Sequence, residues 1–171
     1  SQREIDWMAD LSRTTGRPVT FAFFQFPHLP TQYRKIMEFA SAGNAAGANL
    51  RPQTTARGIG VLFGPHIRSP FDRNDSWRAM RSLSVAEKLA LYADPERRTQ
   101  LVTEAQANGP NEKELAHLYL IDGPEPDYRP DPNKALPTIA KSRGVTMAEA
   151  YMDLMIESEG RSFINHPILN P

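Results

Sequence analysis

The spacing of apolar side chains changes period along the chain, and the changes mark the elements. Between residues 3 and 15, Ile5, Met8 and Leu11 recur three apart in a polar background, the stripe of an amphipathic helix. Gly16 is placed to end it, since glycine enters the left-handed conformation most cheaply. The next stretch, GRPVTFAFFQ at residues 16–25, has no such period. Val19, Thr20, Phe21, Ala22, Phe23 and Phe24 follow one another without a charge. A run this apolar predicts a strand over 18–25 covered on both faces, as in a parallel sheet flanked by helices. In such sheets the chemistry lies just past the carboxyl ends of the strands. Gln25, the first long polar side chain after the run, is therefore a candidate site residue.

The helical period returns in TQYRKIMEFASAG, where Tyr33, Ile36, Met37 and Ala40 share one face and Thr31 can cap the start. A short strand is expected at 49–55, then a glycine-punctuated loop through GIGVLFG at 58–64. Helix, strand, helix, strand with short links is the pattern of a parallel sheet. Beyond it the chain reads as mainly helical over 75–106. Ser84 and Glu87 have capping-box spacing, and Asp94 precedes Pro95 as an N-cap precedes a first-turn proline. Leu89, Leu91, Tyr92, Leu101 and Val102 supply the apolar faces. ELAHLYLIDG at 114–123 reads better as a strand than as a helix. The proline-rich crossing after it leads to a helix that must start near 133–136 to tolerate Pro137. The last helix has a capping box (Thr146, Glu149), a stripe of Tyr151, Leu154 and Met155, and Gly160 past its end. A final short strand is expected at 162–165. The fold class is α/β.

Composition narrows the function classes. The 171 residues suit one domain with a real core, but fall short of the roughly 250 of a complete α/β barrel. Lys and Arg number 20 against 20 Asp and Glu, with no basic face, so no nucleic-acid partner is expected. The absence of cysteine excludes disulfides, thiolate metal sites and a cysteine nucleophile. No apolar run is long enough to span a bilayer, and SQREIDWMAD lacks the basic start and apolar core of a secretory leader. A cytoplasmic protein with no membrane partner is the expectation. The chain opens inside a helical pattern without an initiator Met, which suggests a piece of something longer. Its prolines gather in GPHIRSPFD and DGPEPDYRPDPNKALP, the kind of long connection that forms functional loops or covers.

The chemistry-bearing residues are sparse. His28, His66, His117 and His166 form no HxH or HxxxH pair, too little for a metal site. His28, His66 and His117 read as packing residues, and His166, held extended before Pro167, either packs or faces a pocket. Gly58, Gly60 and Gly64 do not match GxGxxG, and no GK[ST] follows, so GIGVLFGP reads as a flexible turn. Arg68, Asp72, Arg73 and Asp75 form local ion pairs, or an arginine there clamps a substrate carboxylate. The residues alone describe an α/β domain without an assigned activity.

Several segments taken together carry a resemblance. TGRPVTFAFFQ, ANLRPQTTARGIGVLFG, PFDRNDSWRAM, SVAEKLALYADPERRTQLV, DGPEPDYRPDP and EAYMDLMIESEGRSFINHPILN occur in this order across nearly the whole chain. In order and spacing this resembles the N-acyl-D-amino-acid deacylase (D-aminoacylase) branch of the amidohydrolase superfamily. The resemblance implies an internal fragment of a (β/α)8 barrel enzyme. Residues 1–64 would be late barrel units, 65–160 a helical insertion covering the active site, and 161–171 the lead-in to the last strand, together one compact unit. It implies a small-molecule N-acyl substrate, a hydrolysed amide, and zinc in the full-length family.

The same resemblance implies that the chain alone is inactive. The family's HxH ligands and its glycine-flanked catalytic Asp have no counterpart here, and Phe23 falls where the family places a ligating His. No catalytic residue, metal ligand or cofactor is therefore assigned to this chain. Gln25, Arg57, His66 and Arg68 are the candidate substrate contacts, with packing and surface ion pairing as the alternative. Strands separated from their neighbours would leave exposed edges, so self-association is expected. The rival reading is a non-catalytic binding or regulatory α/β domain, and a third is a metal-free scaffold.

Overall fold

A computed structural model describes residues 1–110, 112–123, 125, 127–129 and 131–170. The described residues form an α/β structure with two small sheets, and the chain divides into two compact units. The first comprises Ser1–Ile59 with Ile168–Pro171, the second Gly60–Pro167. Each unit has its own hydrophobic core. Among the described residues no helix is long and apolar enough to cross a membrane.

The first unit is built on α1 (Gln2–Thr15), β1 (Val19–Ala22), α2 (Gln32–Ala45) and β2 (Leu50–Gln53). Gly16 ends α1 at φ 66°, as its position in the sequence requires. β1 and β2 pair in parallel, Val19 opposite Leu50 and Ala22 opposite Gln53, with α2 as the crossover. Ile5, Met8 and Ala9 of α1 pack with Ala40 of α2 and Leu50 of β2. Val19 and Phe21 join that core. Thr20 and Ala22, on the opposite face, are exposed. β1 is thus half-covered, not buried on both faces: both helices contribute to a core on one side of a sheet only two strands wide. The helix stripes are also narrower than their spacing suggests, because Leu11 and Met37 stay in solvent.

Ser12 ties this unit together. Its buried hydroxyl donates to the Arg17 carbonyl at 2.8 Å and accepts from the Asn49 N–H at 2.9 Å, so one side chain serves the entries to both strands. The outer side of β2 is closed by Asn44. Its carboxamide accepts from the Leu50 N–H at 2.6 Å and donates to the Leu50 carbonyl at 3.0 Å.

The second unit holds β3 (Ile59–Phe63), α3 (Asp75–Ala79), α4 (Val85–Ala93), α5 (Pro95–Asn108), α6 (Glu112–Leu115), β4 (Tyr119–Ile121), α7 (Leu136–Arg143), α8 (Met147–Glu157) and β5 (Phe163–Leu169), the outermost residues of β3 and β5 falling in the first unit. The strands order as β3-β5-β4, with β4 and β5 antiparallel. α8 is buried almost all round through Ala148, Ala150, Tyr151, Met152, Leu154 and Met155, the mark of a central helix. Phe71, Trp77, Tyr92 and Tyr151 cluster around it, the closest pair of rings being Phe71 and Trp77 at 4.8 Å. The Trp77 Nε1–H donates to the Leu101 carbonyl at 3.0 Å, which removes the cost of burying it.

Both capping boxes are present, at Ser84–Glu87 and Thr146–Glu149, and Asp94 caps α5 ahead of Pro95. Two further expectations are corrected. The segment 58–64 is largely strand β3 rather than a loop, because its glycines admit close neighbours: a Cβ on Gly60 would meet the Asn165 Oδ1 at 2.6 Å, and one on Gly64 would meet the Phe163 ring at 3.0 Å. The stretch 114–123 is split between the end of α6 and the short β4, with a turn between them.

Candidate functional site

The parallel pair puts the carboxyl ends of β1 and β2 side by side, and Gln25 and Arg57 follow those ends in the chain. What closes them is Asn170. Its Oδ1 accepts from the Gln25 N–H at 2.8 Å, and its own N–H donates to the Gln25 carbonyl at 2.8 Å. Its Nδ2 donates to the hydroxyls of Thr54 at 3.1 Å and Thr55 at 3.0 Å. One carboxamide therefore binds the chain after both strands. Asn170 reaches this position at φ 50°, a conformation that Asn tolerates better than most side chains. Nothing in the sequence singles out Asn170, since its partners lie more than a hundred residues away.

Gln25 is half-buried with both backbone groups engaged. Its Nε2 donates weakly to the Pro30 carbonyl at 3.4 Å. The Arg57 side chain is exposed, and its carbonyl accepts from the Thr55 hydroxyl at 2.7 Å. Phe23 packs edge-on against Tyr33, ring centroids 6.4 Å apart, as a hydrophobic side chain would.

His66 and Arg68 belong to the second unit, in the exposed turn after β3. The turn is held by Gly64 N–H on the Arg68 carbonyl at 2.9 Å and Ile67 N–H on the Gly64 carbonyl at 3.0 Å. His66 tilts over Phe163 at 6.3 Å, and the Arg68 guanidinium lies over Phe63 at 5.5 Å. His166 stacks on the same Phe63 at 6.5 Å. Burial, and then the neighbouring His117, push the His166 pKa below its ordinary value, against an opposing pull from Glu114.

The described residues do not fit a zinc site. Among the described residues no three His, Asp or Glu side chains gather as metal ligands, and Phe23 offers no donor atom where the resemblance asks for one.

A second polar position, Lys88, carries no signal in the sequence, because its spacing is that of a solvated helix face. It is buried in α4, and its Nζ donates to the carbonyls of Pro65 at 2.7 Å and Arg81 at 3.4 Å. Its ammonium ties the turns before and after α3 to the helix.

Comparison of the chain with protein-family models, with curated proteins and with solved structures finds no match in any of the three.

Proposed function

We propose that this chain is the late-strand portion of an amidohydrolase-type deacylase of the cytoplasm, one that hydrolyses the amide of N-acyl-D-amino acids or similar N-acyl substrates. The observation that supports the reading is the β1–α2–β2 unit: two parallel neighbours joined by a helix, the repeating unit of a (β/α)8 barrel. The substrate then meets the chain through side chains with spare donors. The Gln25 carboxamide polarises a carbonyl oxygen. Arg57, exposed and in the same unit as Gln25, offers the planar fork that binds a carboxylate through two hydrogen bonds. No step is assigned to a metal, since among the described residues no group of ligands gathers.

The test is amide hydrolysis by the protein made from the full reading frame, followed as free amino acid released from N-acyl-D-amino acids. Release by that protein and none by the 171-residue chain is the expected result. Release by the 171-residue chain, or none by the longer protein, overturns the reading.

Two observations favour the second reading, a non-catalytic binding or regulatory α/β domain. Asn170 fills the space after both strand ends with contacts of the chain's own, and the Asn44 carboxamide takes both outward polar groups of Leu50, where the next strand of a barrel would pair. On that reading the longer protein also leaves N-acyl substrates intact.

A further inference from the structure

The two edges of the β1–β2 sheet differ. In a parallel pair, alternate residues of each strand direct N–H and C=O at the partner, and the residues between direct theirs away. The Val19 N–H bonds to the Asn49 carbonyl at 3.0 Å and the Phe23 N–H to the Gln53 carbonyl at 2.8 Å. With Val19 opposite Leu50, this phase points Val19, Phe21 and Phe23 inward, and Thr20 and Ala22 outward. On β2 the outward residues are Leu50 and Pro52. Both polar groups of Leu50 are taken by the Asn44 carboxamide, and Pro52 has no N–H. The β2 edge is therefore sealed against a further strand. The β1 edge is not: the sheet ends there, and among the described residues no strand pairs with Thr20 or Ala22 on that side.

We infer that in the 171-residue chain the open β1 edge, which a preceding strand would take in the barrel of the proposed function, binds β1 of a second copy of this chain, antiparallel, about a two-fold axis at Phe21. Three observations select that occupant. The edge carries no charge from Pro18 to Phe24, so two copies meet without like-charge conflict. Pairing Thr20 with Ala22 of the second copy satisfies all the outward groups within both strands by one another, four hydrogen bonds by the ladder geometry of an antiparallel pair. That register also places Arg17 opposite the neutral Gln25 of the second copy, again without a charge clash. Because β2 is sealed, the product is a closed dimer with a four-stranded sheet and cannot extend into a fibre through this sheet.

The experiment uses sedimentation equilibrium on the 171-residue chain over a wide concentration range. The expected mass at high concentration is twice 19.2 kDa. Thr20 and Ala22 have exposed side chains, so substituting them leaves the monomer core untouched. In T20K/A22K each lysine faces a lysine of the second copy, and the dimer is lost. In T20K/A22E each lysine faces a glutamate, and the dimer returns, a contrast that a loss of folding cannot produce. Circular dichroism checks that both variants keep wild-type helix content. A wild-type chain that stays at 19.2 kDa overturns the inference, as does a dimer that survives T20K/A22K or is not recovered in T20K/A22E. None of these outcomes depends on hydrolase activity.

Discussion

The Asn44 carboxamide and the Leu50 peptide form a matched pair, each donating to the other at 3.0 and 2.6 Å, which makes a side chain of α2 stand in for a missing strand. Asn44→Ala leaves two backbone groups to water and costs about 1–2 kcal/mol of stability, measured as a lower urea midpoint. It also unseals β2, so light scattering of the variant should show species larger than a dimer.

The two tryptophans report on the two units separately. Trp7, in the first unit, is 55% exposed, whereas Trp77, in the second, is 1% exposed. In Trp77→Phe the remaining emission should be red-shifted and readily quenched by acrylamide. In Trp7→Phe it should be blue-shifted and protected. Trp77→Ala empties the centre of the aromatic cluster and should cost about 3–5 kcal/mol in denaturant unfolding.

His166 makes the fold acid-sensitive. Its pKa is lowered from 6.5, chiefly by burial and then by His117, so the unfolded chain takes up the proton more readily than the folded one. Stability from this residue is intact above 6.5 and falls as the pH drops below that value. The urea midpoint of His166→Gln should depend less on pH in this window. In His117→Ala the NMR titration of His166 should move up toward its ordinary value. An unmoved midpoint would remove His117 as a cause.

Thr146 and Glu149 start the most buried helix of the chain. The hydroxyl accepts from the Glu149 N–H at 3.2 Å, while the carboxylate accepts from the Thr146 N–H at 2.8 Å. Those bonds from Thr146 hold the Glu149 carboxyl below its ordinary pKa, so their contribution is present above 4.5 and lost as the pH falls below it. Thr146→Ala should cost about 1 kcal/mol at neutral pH, and the difference from wild type should shrink in acid.

Most of the helices were legible because their signals are local. Capping boxes, a first-turn proline and a closing glycine each need only a few adjacent residues, and Gly16, Ser84, Asp94 and Thr146 all sit where their spacing requires. The strands were less legible. β3 looked like a loop because Gly60 and Gly64 serve neighbours on β5 about a hundred residues later. β1 looked covered on both sides because Ala22 and Thr20 are as compatible with solvent as with a core. The candidate site was legible only in part. Gln25 and Arg57 follow the strand ends in the chain, whereas Asn170, Asn44 and Lys88 act through distant or backbone partners that no motif encodes.

The Asn170 clasp has a topological consequence. It joins the tail of the chain to the ends of β1 and β2, and a Cβ on Gly58 would come within 2.9 Å of the Asn170 carbonyl. Departure and return of the chain therefore lie side by side, and everything from Gly60 to Pro167 is an excursion from the first unit. An excursion of that kind can be excised, exchanged or lengthened across one short splice while the two-strand scaffold keeps its contacts.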